Sequence, residues 1–298
     1  MRNETFMLAC LALAFFSPGR IVAADRTPDG LPRYEMVYGD MVRTYSMFIP
    51  DSLPHGAPLV VYAHGYGSKT RSRKDLNEAA RRHGFAVCNP DGSPDSRGKD
   101  GWKVGYPSQG SMTVDEADFF RALLDEVASR FGVSRENVFL AGMSNGGDLC
   151  YQFAYTSPEL FRAYGSVAGL TFEETYNANK LTEPVAFIEI HGTSDTVSSW
   201  DGDHLNAGGW GAYIPVELAV QALAVNNRCA TVGKDSVASK RPAEHPVSRC
   251  VYGDAPSGRD VVVYRVEGAG HSWHAADLDT GELLIEFFSR YIVPEDGR

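Results

Sequence analysis

Long apolar runs are missing from this chain. The N-terminal one, Phe6 to Phe16, spans about eleven residues, short of the roughly 20 that a helix needs to cross a bilayer. Cysteine is scarce as well, 5 in 298 residues, and neither a C-x-x-C pair nor a clustered Cys/His spacing occurs. That argues against a structural zinc site, and no metal or other cofactor is expected. Positive charge is in deficit, with 28 Lys and Arg against 38 Asp and Glu and a net charge of −10. Such a balance disfavours nucleic acid and anionic membranes as partners and favours neutral or weakly charged substrates. Internal repeats, low-complexity blocks and linker-like stretches are also lacking, so one large domain is expected.

What is present starts with a targeting pattern. Arg2, the short apolar run and Val22–Ala23–Ala24 ahead of Asp25 read as a signal peptide over residues 1–24, followed by one domain over 25–298. The expected location is therefore secreted or periplasmic, without a membrane anchor. Export permits disulfides, and Cys229 and Cys250 lie in a polar stretch rich in Ser, Pro and Lys, where a bridge is expected. Cys88, in an apolar run, and Cys150, on a helix face, are expected to pack as small hydrophobes.

Strand and helix patterns alternate along the chain. Arg33 to Ile49 reads as a hairpin turning at Gly39–Asp40. The nearly all-apolar runs Pro58–Ala63, Gly84–Asn89, Asn137–Ala141, Ala163–Ala168, Pro184–Ile190 and Asp260–Val266 read as strands covered on both faces. Helical character falls at Ser72–His83, Thr113–Phe131, Asp148–Tyr155, Val216–Asn227 and Asp277–Tyr291. This alternation predicts an α/β fold with a mostly parallel central sheet flanked by helices. The stretch Ser93 to Ser111 reads as a long loop without secondary structure, a kind of segment that is often functional.

The stretch Gly142–Met143–Ser144–Asn145–Gly146–Gly147 organises the functional reading. It stands between a strand and a helix, the context of a G-x-S-x-G nucleophile elbow. Glycines on either side let a serine sit in strained backbone geometry at a sharp turn. His64–Gly65–Tyr66–Gly67 follows an earlier strand, where serine hydrolases place an oxyanion-hole loop. The two backbone N–H donors would then come from Tyr66 and Asn145. Asp195 and His271 each follow a strand end, and the order Ser144, Asp195, His271 is that of an α/β-hydrolase triad. Asp201 and Asp203 compete with Asp195, and His274 competes with His271. His64 and His191 read as structural histidines that fix loops. Trp102, in a long loop that also holds Tyr106, either anchors that loop on the core or offers its ring to a substrate, and a second polar, aromatic stretch carries Trp200 and Trp210.

Taken together, G-M-S-N-G-G, H-G-Y-G, P-D-G at Pro90–Gly92, H-G-T-S-D at His191–Asp195 and G-H-S-W at Gly270–Trp273 resemble carbohydrate esterase family 1. The likeness is to its polyhydroxybutyrate-depolymerase-like branch, which includes feruloyl esterases and acetyl xylan esterases. It runs from about Arg43 to Tyr291 with the motifs in order. It implies a secreted α/β-hydrolase with a Ser144–His271–Asp195 triad. Its partner would be a feruloylated or acetylated plant polysaccharide or oligosaccharide, with Trp102, Tyr106, Trp200, Trp210 and Trp273 as substrate-binding aromatics. Feruloyl esters are the first expectation and acetyl xylan the second. A polyhydroxybutyrate-type depolymerase and a non-catalytic carbohydrate-binding protein on the same scaffold follow. The family often carries Thr–Trp–Pro after the histidine, whereas this chain has Ser272–Trp273–His274, a departure at the acyl pocket.

Overall fold

The computed structural model describes residues 26–68, 72–178 and 181–294, so the signal peptide expected over 1–24 lies outside the described residues. In chain order the elements are β1 (Arg33–Tyr38), β2 (Met41–Phe48), β3 (Leu59–Ala63), α1 (Lys74–His83), β4 (Ala86–Pro90), β5 (Ser93–Pro94), β6 (Asp100–Gly101), α2 (Glu116–Phe131) and β7 (Val138–Met143). Then come α3 (Asn145–Thr156), β8 (Ala163–Val167), α4 (Glu173–Asn177), β9 (Ala186–Gly192), α5 (Val216–Asn227), β10 (Thr231–Val237), β11 (Val247–Gly253), β12 (Val261–Val266) and α6 (Thr280–Ser289).

Ten strands form one sheet in the order β1-β2-β4-β3-β7-β8-β9-β12-β11-β10. The six from β4 to β12 in that order run parallel. The pairs at both margins are antiparallel. Burial explains the division. β3, β4, β8 and β9 are buried at every position, as mostly apolar strands need when helices cover both faces. One face packs against α2, α3 and α5 through residues such as Phe120, Phe153 and Leu223. The other packs against α1 and α6 through Leu76, Leu284 and Phe288.

From β3 the chain steps to β4 on one side, and it later returns to β7 on the other. The strand order therefore reverses between β3 and β7, and open α/β sheets bind ligands in the crevice beyond such a point. The H-G-Y-G loop leaves β3 there and the serine turn leaves β7. An ideal Cβ on Gly65 would stand 3.4 Å from Ser144 Cβ, so the two turns are in contact.

Three expectations are corrected. The polar stretch between Cys229 and Cys250 holds β10 and the start of β11, an antiparallel pair at the sheet margin. β10 is almost wholly exposed, and an edge strand with no core face lacks the apolar alternation that reveals a strand. The loop from Ser93 to Ser111 carries the short β5–β6 ladder and a 3-10 turn at Pro107–Gln109. Gln109 organises it: Oε1 accepts the backbone N–H of Val104, Gly105 and Tyr106, and Nε2 donates to Trp102 O at 2.6 Å.

The third correction concerns the cysteines, since Cys229 and Cys250 are unbridged. The Cys229 thiol meets the backbone of Val261, which is opposite Tyr252 in the sheet, whereas Cys250 pairs with Val263. In the β10–β11 ladder Cys250 stands opposite Lys234, five residues along the chain from Cys229, so the two thiols are not brought together. Cys88 and Cys150 are buried in the core.

Candidate active site

The elbow is built by close approach. Ser144 has φ 54° and ψ −121°, a region that costs a non-glycine residue about 1–3 kcal/mol. The strain persists because its surroundings hold it. Ser144 N–H donates to Val167 O and Asp148 N–H to Ser144 O, each at 2.8 Å. An added Cβ on Gly142 would fall 2.1 Å from Gly146 O, and one on Gly146 would fall 2.0 Å from Ala63 O. Only glycine lets β3, β7 and the start of α3 come this close.

Asn145 begins α3, so its N–H has no intrahelical acceptor. Its side chain locks the neighbouring loop: Oδ1 accepts Trp102 N–H at 2.7 Å and Nδ2 donates to Trp102 O at 3.0 Å. In the facing turn Gly67 N–H goes to Asp100 O and Ser68 N–H to Gly65 O. Among the described residues Tyr66 N–H makes no hydrogen bond. Tyr66 and Asn145 thus present N–H groups from the two turns that flank Ser144, the arrangement an oxyanion requires.

Asp195 and His271 lie on two loops that are fastened together. Thr193 N–H donates to Val266 O at 3.0 Å and Ser194 N–H to Ala269 O at 2.9 Å, while Gly268 N–H donates to Thr193 Oγ1 at 2.9 Å. A Cβ on Gly192 would stand 2.3 Å from Ala269 O, so glycine is needed at this approach too. The result is a 2.7 Å contact between His271 Nδ1 and Asp195 Oδ2. Asp195 Oδ1 accepts Val197 N–H and Ser198 N–H, each at 2.8 Å.

Burial pushes the Asp195 carboxyl upward, but the His271 bond and charge, the Ser198 N–H and His191 outweigh it, and the group is held below its ordinary range. An ionised Asp195 only accepts, so Nδ1 of His271 carries the hydrogen and Nε2 is left to act as a base. Among the described residues Ser144 Oγ forms no hydrogen bond with His271. Such links are often long in a ligand-free site and tighten with substrate.

The competing residues fall elsewhere. Asp203 braces its own loop by accepting Ala207 and Gly208 N–H, and Asp201 is exposed. His274 is buried, with Nδ1 at 3.2 Å from Ser272 Oγ, and burial pushes its imidazole down to about 4. His64 fixes its turn through Gly65 O and Gly92 N–H.

Of the aromatic side chains, the structure brings only some to the crevice. Trp102 is 0 % exposed. Its ring packs on Phe120 and His64, and its Nε1 donates to His64 O. It is a core anchor that offers no face to a substrate. Trp200 is buried against His191 and Arg265. Trp273 is buried on the α1 side of the sheet, where its Nε1 donates to Asp75 and its ring meets Tyr62. Apolar area decides these three positions, since a large ring that finds a core site gains more from burial than from exposure.

Tyr106 and Trp210 meet beside the serine turn, at 5.1 Å between centroids. Tyr66 joins them, at 5.7 Å from Tyr106 and 5.6 Å from Trp210, and Phe172 lies 5.9 Å from Tyr106. Tyr106 and Phe172 are buried, so Tyr66 and Trp210, both half-buried, are the rings with a face left open. The rings of Tyr66 and Phe172 had no sequence signal beyond their type. Tyr66 sits in the H-G-Y-G loop, which could have pointed to it.

Comparison with known proteins identifies the family and the fold. The family model described as Esterase PHB depolymerase matches residues 43–202. A protein of Nocardia uniformis subsp. tsuyamanensis named as esterase NocK is 28% identical over 257 residues, covering 80% of this chain and 73% of that protein. A probable feruloyl esterase C of Aspergillus flavus is 25% identical over 246 residues, 81% of this chain and 80% of its own. Among solved structures, an acetyl xylan esterase from Aspergillus awamori superposes with a TM-score of 0.58 at 17% identity, covering 87% of this chain and 99% of that one. The Bacillus cereus carboxylesterase gives 0.53 at 14% identity, over 85% and 96%. The structural likenesses show an α/β-hydrolase fold.

Proposed function

Since this chain belongs to the Esterase PHB depolymerase family, we propose that it is an exported serine esterase removing feruloyl or related hydroxycinnamoyl groups from plant cell-wall polysaccharide. The observation that carries the acyl preference is the pair of half-buried rings Tyr66 and Trp210, backed by buried Tyr106 and Phe172, beside the Ser144 turn. A flat phenolic acyl group gains dispersion and apolar burial against such rings, and an acetyl group has too little surface to do so.

In this reading Ser144 Oγ attacks the ester carbonyl carbon while His271 Nε2 takes the hydroxyl proton, and Asp195 holds the imidazole and balances its charge. The N–H groups of Tyr66 and Asn145 receive the oxyanion. Collapse of the tetrahedral species breaks the bond to the sugar oxygen, which leaves as an alcohol with the proton from His271. Water activated by the same imidazole then cleaves the acyl-enzyme and frees the carboxylic acid.

The test compares the protein with Ser144→Ala on methyl ferulate and on acetylated xylan, following free ferulic and acetic acids. Ferulate release that disappears in the variant is expected. Acetate release alone would keep the mechanism and move the substrate to acetyl xylan. Hydrolysis unchanged by Ser144→Ala would overturn the assignment of the nucleophile.

A further inference from the structure

Behind the Asp195–His271 link stands a second acid–histidine couple. Glu189 and His191 lie two residues apart on β9, so they share one face of the strand, and both side chains are 0 % exposed. Glu189 Oε1 is 2.8 Å from His191 Nδ1. His191 Nε2 is 2.8 Å from Ser198 O, and because a carbonyl only accepts, that nitrogen carries a hydrogen. The same nitrogen is 3.7 Å from Asp195 Oδ2, the oxygen bound to His271. Ser198 N–H returns to Asp195 Oδ1. His191 therefore reaches Asp195 twice, through space and through the turn that holds it.

The surroundings contain few competing charges. Asp148, Cys150 and Tyr151 face Glu189 from α3, and Ser166 and Gly169 N–H face it from β8 and the loop after it. His271 and His274 approach from the loop after β12, and Trp200, with Arg265 on its ring, flanks His191. Burial pushes Asp148 up to about 8, so at neutral pH it adds little negative charge. Burial pushes the Glu189 carboxyl up as well. On His191 burial acts downward, but the Glu189 bond and charge outweigh it.

We propose that Glu189 and His191 are a positioning pair for Asp195, in which Glu189 holds His191 as a cation that closes the 195–198 turn and sets positive charge beside the carboxylate shared with His271. The cation competes with His271 for the field of the Asp195 carboxylate, so its removal should show in the pH dependence of turnover. The proposal rests on the triad reading above, and its test separates the two.

Glu189→Gln keeps the shape. Its amide can donate to Nδ1 of a neutral His191, which retains its Nε2 hydrogen on Ser198 O, so the charge alone is removed. The measurement is the pH profile of kcat/KM on methyl ferulate, with far-UV circular dichroism to confirm folding. The acid limb of Glu189→Gln is expected about 0.5 pH unit higher than that of the parent, with a plateau within about tenfold. His191→Gln should move the limb in the same direction and lower kcat further, because the turn loses its fixed donor. An acid limb of Glu189→Gln that superimposes on the parent, or moves to lower pH, would overturn the proposal while leaving the triad reading intact. Hydrolysis unchanged in Ser144→Ala would instead remove the triad reading itself.

Discussion

Replacing Asp148 by Asn should make the protein's stability less sensitive to pH. Asp148 is 2 % exposed in the first turn of α3. One carboxyl oxygen accepts Leu170 N–H at 2.7 Å and the other meets Tyr106 Oη at 2.5 Å. Burial raises the group from 3.8 to about 8, against the opposing pull of the Tyr106 and Leu170 bonds. A carboxyl raised in the folded state favours folding while it is protonated. Its contribution is complete below the unfolded value, declines by about 1.4 kcal/mol per pH unit above it, and is gone once the pH passes about 8. Between about pH 5 and pH 8 the native protein should thus lose about 4 kcal/mol that Asp148→Asn does not lose. At roughly 2–4 °C per kcal/mol for a domain of this size, the difference in Tm between variant and parent should grow by about 10 °C over that interval. Asparagine can serve Leu170 with its carbonyl and Tyr106 with its NH2, and any mismatch shifts both ends of the pH range equally. The assay is thermal unfolding of both proteins across the range. A Tm difference that is constant or narrows with rising pH would refute a protonated native Asp148.

Two further outcomes follow from the same contacts. Gly146→Ala places a Cβ 2.0 Å from Ala63 O, which forces the head of α3 to move by about 1 Å. The protein should fold, as read by circular dichroism, yet lose about 100-fold in kcat on p-nitrophenyl acetate because the Asn145 N–H is displaced. Trp210→Ala opens the ring cluster with Tyr66 and Tyr106. Its KM for methyl ferulate should rise about tenfold while kcat/KM for an acetyl ester stays within about twofold. Equal losses on both substrates would show that Trp210 supports the loop and does not select the acyl group.

Both predictions start from features that differ in how far they can be read along the chain. The elbow is legible because its constraint is local: a strand, a strained serine and glycines within two residues state a backbone geometry that few other residues could satisfy. The six buried strands of the parallel core are legible for a similar reason, since continuous apolar runs such as Leu59–Ala63 and Val138–Ala141 leave few alternatives. The order Ser144, Asp195, His271 follows once each residue is seen to end a strand.

What the sequence by itself determined, then, is the α/β succession, the elbow and the identity of the residues at the strand ends, because these depend on side-chain period and on steric limits within a few residues. Tertiary structure alone decided which large rings face the crevice. Trp102 and Trp273 resemble Trp210 as residues, yet the first two found partners in His64, Phe120, Tyr62 and Asp75 from distant segments and became core. It also decided that Cys229 and Cys250 stay apart, since the register of β10 on β11 sets Cys250 opposite Lys234. The alignment of Glu189 and His191 behind Asp195 depends on the turn after β9 folding back on its own strand. Burial and electrostatic coupling are properties of neighbours brought together by the fold, and their partners lie too far along the chain for any local pattern to name them.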